Sequence, residues 1–112
     1  MNMPVKDLLL QTIEKFNKKV DSDPKLRKEL EGVNKRVNVD LESEKYSFLL
    51  KDFRAGEFKD ALLPEADITI LSDPATVEDL INGKLKIMKA WATKKIKVKG
   101  SLEDVMRLRK LF

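Results

Sequence analysis

The chain has 112 residues, of which 42% are hydrophobic and 38% charged, enough for a single domain with its own core. It contains no cysteine and no histidine, which excludes a disulfide framework, a thiolate nucleophile, an imidazole metal ligand and a Ser-His triad. Carboxylate chemistry remains open, but no pairing of acidic residues points to it, so we predict no catalytic residues, no metal site and no cofactor.

Two helices are predicted at the N-terminus. Apolar residues recur at spacings of three and four from Val5 to Val20, which is typical of an amphipathic helix. Asp23 and Pro24 form a cap and first-turn pair, so a short second helix should follow and end near Gly32. The first residues lack the features of a secretory signal, and no apolar run is long enough to cross a membrane, so we expect a cytoplasmic protein.

The next segment changes to the two-residue period of β-strands. The first strand is expected at 36–41, and the second at 45–53 with Tyr46, Phe48 and Leu50 on one face. A third strand is expected at 54–59, with Gly56 in or near a turn. A crossing loop over 60–65 should lead out of this group of strands.

The last third of the chain carries clear start and stop signals. We predict a strand at 68–70, a helix opened by Asp73-Pro74 and closed by Gly83, a short helix, a strand at 96–98, and a final helix capped by Ser101 and Asp104. The short helix is expected to bury Leu85, Met88, Trp91 and Ala92. The final helix is expected to bury Leu102, Val105, Met106, Leu108 and Phe112.

The predicted element order is α-α-β-β-β-β-α-α-β-α. Strands grouped between helices favour an α+β fold with a five-stranded, mostly antiparallel sheet and helices covering one face. No internal repeat or linker interrupts the chain, so residues 1–112 are expected to form one domain.

The net charge of +4 hides an asymmetry along the chain. Residues 1–83 carry a net charge of −4 and residues 84–112 a net charge of +8. Seven lysines and no acidic residue lie between positions 84 and 99, and we call them the lysine patch: Lys84, Lys86, Lys89, Lys94, Lys95, Lys97 and Lys99. The patch is consistent with a solvated face, with a surface for phosphates, anionic lipid headgroups or coenzyme A, or with nucleic-acid binding. The last is disfavoured by the few aromatic residues and the lack of a nucleic-acid-reading motif.

Four short motifs in this part of the chain carry a family resemblance: Asp73-Pro74, Gly83-Lys84, Met88 to Trp91, and Lys95 to Gly100. In this order the chain resembles the sterol carrier protein 2 domain, also called the sterol-transfer domain. The resemblance covers residues 66–111 well, and residues 1–65 mainly in element order. One departure is Lys94, since the family usually has glycine before the last strand.

The resemblance implies an apolar tunnel between sheet and helices, and non-enzymatic binding and transfer of sterols, fatty acids, fatty acyl-coenzyme A or phospholipids. It implies a lipid or fatty acyl ligand and leaves the oligomeric state open. From the charge pattern we expect transient contact of the lysine patch with an anionic membrane surface and no nucleic-acid partner. The candidate cavity residues are Leu9, Ile13, Phe16, Phe48, Leu50, Leu80, Ile81, Met88, Trp91, Met106 and Leu108. Alternative functions are an accessory protein-interaction module of a lipid-metabolic complex and a basic nucleic-acid-binding domain.

Overall fold

The computed structural model describes residues 4–111, apart from the side chain of Leu108. It contains five helices and five strands in the predicted order. They are α1 (Val5–Ser22), α2 (Pro24–Glu29), β1 (Asn34–Asp40), β2 (Lys45–Lys51), β3 (Arg54–Lys59), β4 (Ile68–Leu71), α3 (Pro74–Ile81), α4 (Ile87–Ala92), β5 (Lys97–Lys99) and α5 (Leu102–Leu111).

The five strands form one sheet in the order β3-β2-β1-β4-β5. β1 and β4 run parallel, while the other three neighbouring pairs are antiparallel. β3 lies at one edge of the sheet, and the segment after it crosses β2 and β1 before the chain enters β4 on the far side of β1. β4 therefore runs parallel to β1. The predicted α+β fold with a mostly antiparallel sheet is confirmed.

Side-chain caps start three of the helices where the sequence predicts them. The Asp23 carboxylate accepts hydrogen bonds from the backbone of Lys25 and Leu26 at 3.1 and 3.2 Å, and Asp73 accepts one from the Thr76 backbone at 2.8 Å. These carboxylates satisfy N–H groups that have no partner within the helix. The expected capping pair of the last helix is present as well and is described with the site below.

The turn between β2 and β3 comes earlier than predicted. β2 ends at Lys51, and Asp52 and Phe53 form a two-residue turn with φ angles of 53° and 62°. Both residues therefore adopt the left-handed conformation that a tight hairpin requires, although glycine or asparagine usually occupies such positions. The guanidinium carbon of Arg27 lies 4.2 Å from the centre of the Phe53 ring, a cation–π contact that stabilises the turn. Gly56 lies inside β3, not in the turn.

The apolar face of the sheet packs against the helices. Val37 is paired across the strands with Phe48 on β2 and Ile68 on β4, so these three side chains lie on one face. They belong to one buried cluster that also takes in side chains from α1, α2, α3 and α4. Tyr46, Phe48 and Leu50 share the buried face of β2, as predicted.

Helix α4 buries a different side from the one expected. Ile87 and Ala90, three residues apart, are its buried residues, whereas Trp91 is 40% exposed. Adjacent helix positions are about 100° apart around the axis, so a helix that buries Ala90 turns Trp91 toward solvent. Leu85 precedes the helix and packs against the core from the connecting segment.

Across residues 4–111, no helix combines the length and the apolar character needed to cross a membrane.

Candidate functional site

A cavity of about 590 Å³ lies between the helical layer and the sheet. Its volume falls within the range of roughly 300–1,000 Å³ that is typical of small-molecule sites. The uncharged lining residues are all apolar: Phe16, Leu26, Leu30, Val37, Phe48, Leu50, Ile68, Leu102, Met106 and Leu111. The charged lining residues are Glu29, Glu103, Arg107, Arg109 and Lys110.

The sheet forms the apolar floor of the cavity. Val37, Phe48 and Ile68 are neighbours across three strands, and Leu50 extends the same face along β2. Phe16 adds an aromatic wall from α1. All five residues are at most 8% exposed, so the floor is part of the hydrophobic core and offers only hydrocarbon and ring surface to a ligand.

Helix α5 forms a wall that is open to solvent. Val105 is 4% exposed and anchors the helix to the core, whereas Leu102 is 67% exposed and Met106 42% exposed. Leu102 and Met106 are four residues apart and therefore lie on the same side of the helix. Since both also line the cavity, α5 places an apolar ridge at its mouth.

The first turn of α5 is held by the buried carboxylate of Asp104. Its Oδ2 atom accepts a hydrogen bond from the Ser101 backbone at 3.1 Å, and the Ser101 hydroxyl accepts one from the Asp104 backbone at 3.2 Å. Its Oδ1 atom lies 2.9 Å from a guanidinium nitrogen of Arg107 and 3.8 Å from Nζ of Lys35. The predicted capping pair is thus confirmed, and it also ties α5 to strand β1.

Positive charge predominates in the part of the lining supplied by the second half of α5. Arg107, Arg109 and Lys110 face two acids, Glu29 and Glu103. Arg107 lies 3.7 Å from Glu103, and Lys110 lies 3.9 Å from Glu29. The Lys110–Glu29 pair is long and about half-exposed, so it contributes little stability and leaves Lys110 accessible to an anionic group. Arg107 is 26% exposed and is held mainly by the buried carboxylate of Asp104.

A smaller polar groove of about 250 Å³ borders the cavity. It shares Leu26, Glu29 and Lys110 with the cavity, and it adds the cations of Lys19 and Lys25 and the carboxylate of Asp23. An apolar chamber therefore continues into a charged groove past Lys110.

The predicted cavity residues divide between the cavity and the rest of the core. Phe16, Phe48, Leu50 and Met106 line the cavity. Leu9, Ile13 and Leu80 are buried in the core cluster, Ile81 and Met88 pack against it, and Trp91 lies on the surface. The side chain of Leu108 lies outside the described part of the structure. The cavity is thus built around α2 and α5 rather than around α3 and α4.

Several lining residues were not predicted from the sequence. Leu26, Leu30, Val37 and Ile68 lie in or beside the predicted helices and strands, where the same apolar pattern marks core and cavity residues alike. Leu102 was expected to be buried in the final helix. The cationic residues of α5 could have been suspected from the sequence, since they lie in its basic last third. Most of the positive charge there comes from the lysines between positions 84 and 99, which drew the prediction to the lysine patch instead.

The lysine patch lies apart from the cavity. All seven of its side chains are exposed, and none lines the cavity or the polar groove. The expected headgroup and membrane surface is therefore a separate feature from the cavity mouth, where Arg107, Arg109 and Lys110 provide the positive charge.

The strongest ionic contacts elsewhere are structural. Asp67 accepts hydrogen bonds from the backbone and side chain of Arg36 at 2.8 and 3.3 Å, which lowers the pKa of the Asp67 carboxyl and raises that of Arg36. A hydrogen bond from Lys45 likewise lowers the pKa of Asp40. Both pairs lie at the sheet rather than in the cavity. Within residues 4–111, no cluster of three or more acidic side chains is arranged to hold a metal ion.

The sequence model of the SCP-2 sterol transfer family matches residues 13–112. The chain belongs to this family. The match includes every element that lines the cavity, and lipid binding is the general property of this family. Among curated proteins, no significant match was found.

Solved structures show the same fold at low sequence identity. The palmitated SCP2L2 of Aedes aegypti is 19% identical with a TM-score of 0.64, and the alignment covers 97% of this chain and 94% of that one. The UbiJ-SCP2 ubiquinone synthesis protein is 15% identical with a TM-score of 0.65, and 96% of each chain is covered. At these identities the likeness demonstrates a common fold.

The fold also occurs as part of a much larger enzyme. The sec-alkylsulfatase Pisa1 from Pseudomonas sp. is 18% identical with a TM-score of 0.62 over 76% of this chain. This chain spans only 14% of the length of that sulfatase.

Proposed function

We propose that this protein is a non-enzymatic lipid carrier of the cytoplasm that binds an acyl chain in the cavity and transfers it between membranes. The observation that carries the proposal is the cavity of about 590 Å³ whose uncharged lining is entirely apolar. Leaving such a chamber empty is unfavourable in a domain of this size, and filling it with hydrocarbon stabilises the complex by about 0.8 kcal/mol per buried methylene.

The lining favours a lipid with a linear chain over a sterol. The polar side chains of the lining are all charged, and three of the five are cations. Cations bond an anionic carboxylate or phosphate more strongly than a neutral hydroxyl. Fatty acids and other anionic acyl lipids therefore fit the chamber better than sterols do.

The second half of α5 suits an anionic headgroup. Arg107, Arg109 and Lys110 border the cavity, and Lys110 also borders the groove that contains Lys19 and Lys25. An acyl chain lying on the sheet would bring a carboxylate or phosphate to these cations, where charge-assisted hydrogen bonds are strong. The ligand class we propose is a single-chain lipid with an anionic headgroup.

Native mass spectrometry of freshly purified protein, followed by lipid extraction, tests the proposal. We expect a co-purifying acyl lipid, or uptake of a fluorescent fatty acid by the lipid-free protein with one molecule bound per chain. Protein that carries no lipid and takes up no fatty acid would contradict the proposal.

A matched pair of variants locates the site. Met106→Glu places a carboxylate on the cavity wall and should weaken fatty-acid uptake by at least about 10-fold. Leu10→Glu introduces the same change on α1, away from the cavity, at a residue of similar exposure (39% against 42%), and should leave uptake unchanged. Equal losses in both variants would mean that the fatty acid does not bind in this cavity.

A second candidate function is that of an accessory module that presents the cavity mouth to a protein partner. The observation in its favour is the solvent-exposed apolar ridge of Leu102 and Met106. Binding of a purified partner protein that is abolished by Met106→Glu, together with failure to extract any lipid, would favour this function over lipid transfer.

A further inference from the structure

The segment that contains α4 and β5 combines concentrated positive charge with an exposed aromatic side chain. The lysine patch contributes seven exposed cations within sixteen residues, and the first acidic residue after it is Glu103. None of the seven lysines forms an ion pair with another residue in the described part of the chain, unlike Lys6, Lys45 and other lysines elsewhere. The patch therefore keeps its charge available for a partner.

Trp91 stands among these lysines with 40% of its surface exposed. It is the only tryptophan of the chain. A large aromatic ring is costly to expose to water, and tryptophan is enriched where protein meets the boundary between water and lipid, because its apolar ring and its N–H group suit both sides.

Backbone contacts bring the tryptophan and two of the lysines together. The N–H of Lys94 bonds to the carbonyl oxygen of Trp91 at 3.2 Å, and the N–H of Lys95 bonds to that of Ala90 at 2.8 Å. The chain thus folds back over the end of α4 before it enters β5. Lys94 and Lys95 consequently flank the turn of the helix that carries Trp91.

Helix α1 provides an internal comparison. It also exposes several lysines, but Asp7, Glu14 and Asp21 alternate with them, and Lys18 lies 3.4 Å from Glu14. Its polar face is nearly neutral, so it offers no comparable attraction for an anionic surface. Compared with α1, residues 84–99 therefore carry a clear excess of positive charge.

A lipid surface fits this combination better than a nucleic acid. Arginine supplies many of the bidentate contacts by which proteins read bases, and residues 84–99 contain seven lysines and no arginine. Lysine acts as a point charge, which is sufficient for an anionic membrane, where each such residue increases affinity by about fivefold.

We infer that the surface around α4 docks this protein on anionic membranes, with Lys84, Lys86, Lys89, Lys94 and Lys95 contacting lipid headgroups and Trp91 inserting into the interface. Lys97 and Lys99 alternate with the core residue Val98, so they project from the other face of the sheet and are not part of this surface. The inference rests on the proposed function, because a lipid carrier must bind the membrane from which it takes its lipid. The docking surface is distinct from the cavity, so an experiment can contradict the docking inference without contradicting the proposed lipid binding, and the reverse.

The emission of Trp91 reports docking directly, because no other tryptophan contributes. With vesicles of phosphatidylcholine and phosphatidylglycerol at low salt, we expect a blue shift, and quenching when the lipids carry bromine on their acyl chains. With vesicles of phosphatidylcholine alone we expect neither. Raising the salt toward 1 M, where the screening length falls to about 3 Å, should release the protein.

Two triple variants with the same change in net charge identify the docking surface. Lys89→Glu/Lys94→Glu/Lys95→Glu should reduce vesicle affinity by roughly 100-fold or more, since three contributions of about fivefold are lost. Lys15→Glu/Lys18→Glu/Lys59→Glu, on α1 and β3 and away from the cavity and the groove, should reduce it by less than about 10-fold, through the general loss of positive charge. Circular dichroism confirms that both remain folded.

The outcomes separate this inference from the proposed function. Docking that is independent of salt, equal losses in the two triple variants, or a Trp91 spectrum that vesicles leave unchanged would overturn the inference. Duplex DNA that displaces the protein from the vesicles and shifts Trp91 emission at lower concentration than the vesicles do would assign the patch to nucleic acid. Wild-type protein that docks with a blue shift but takes up no fatty acid in solution would support the docking surface and contradict the lipid carrier.

Discussion

The side chain of Asn17 forms two hydrogen bonds with the backbone of Ala55. Its Nδ2 atom donates to the Ala55 carbonyl oxygen at 2.8 Å, and its Oδ1 atom accepts from the Ala55 N–H at 2.8 Å. Ala55 lies on β3, the edge strand, so the amide of Asn17 takes the place of a neighbouring strand. Helix α1 is thereby fixed to the sheet edge, close to Phe16, which lines the cavity.

Replacing Asn17 with alanine should destabilise the protein by about 1–3 kcal/mol, because both backbone groups of a buried residue lose their partner. Chemical denaturation measures this loss as a lower midpoint at unchanged slope. Asn17→Asp is the informative companion: it can still accept from the Ala55 N–H but cannot donate, so it should also be destabilised. Stability within about 0.5 kcal/mol of the wild type in both variants would show that water replaces the amide.

Local signals in the sequence were sufficient for most of the fold. Asp23, Asp73 and Ser101 mark helix starts because a cap depends only on the three or four residues that follow it. The alternation of Tyr46, Phe48 and Leu50 specifies a strand and its buried face because the two-residue period is a property of the strand itself. These features could be predicted without knowing what lies across the core.

The position of the cavity could not be predicted in this way. Leu9, Ile13 and Phe16 belong to one apolar stripe, yet only Phe16 lines the cavity. Whether a stripe residue meets another side chain or an open space depends on how far α2 and α5 stand from the sheet, which is a non-local property. The exposure of Trp91 could not be predicted for a similar reason. Which side of α4 faces the core depends on the packing around it, and the core contains the small Ala90 rather than the larger Trp91.

The two Schellman-type helix ends of the chain differ in the residue at the critical position. The residue after the C-cap is Gly83 for α3, with φ 76°, and Lys94 for α4, with φ 63°. In both helices, the backbone N–H of this residue donates a hydrogen bond to the carbonyl oxygen three residues before it, at 3.3 Å for Gly83 and 3.2 Å for Lys94. Glycine adopts this left-handed conformation without steric cost, whereas a lysine there is strained by roughly 1 kcal/mol.

Lys94→Gly should therefore stabilise the protein by about 0.5–1 kcal/mol, the relief of strain being partly offset by the greater freedom of glycine in the unfolded chain. Gly83→Ala is the reciprocal variant and should destabilise it by about 1 kcal/mol, since no atom lies within 4 Å of the added Cβ and only the backbone conformation opposes the change. Thermal unfolding of both variants measures the two shifts. Destabilisation by Lys94→Gly would show that the lysine side chain makes a compensating contact.

The anchoring of α5 by Asp104 predicts a link between stability and ligand binding. Asp104→Ala removes the acceptor for the Ser101 backbone and for Arg107, and should cost about 1–3 kcal/mol. Because α5 supplies one wall of the cavity, fatty-acid affinity should fall as well. Glu103→Ala, at the neighbouring position with an 81% exposed side chain, is the control and should change stability by less than about 0.5 kcal/mol. Equal effects of the two substitutions would show that the buried carboxylate does not anchor the helix.

Tyr46 predicts the behaviour of the protein at high pH. Its ring is buried and stacks on Phe58 with 5.4 Å between ring centres, and its hydroxyl donates to a carboxylate oxygen of Glu44 at 2.8 Å. Burial, and then the adjacent negative charge of Glu44, raise the pKa of Tyr46 to about 12. Both effects oppose the ionised form, since a phenolate would lose its hydration and face a carboxylate.

The folded-state pKa of Tyr46 lies above the value of about 10 expected in the unfolded chain, so the unfolded state releases its proton first as pH rises. The stability that depends on the neutral phenol is therefore complete below about pH 10 and is lost as pH rises from about 10 to about 12. Because Tyr46 is the only tyrosine, the absorbance of tyrosinate measures its titration without overlap. Glu44→Gln removes the charge and should lower the pKa part of the way toward 10, with burial accounting for the rest. A wild-type titration centred near 10 in the folded protein would show that the phenol is solvated.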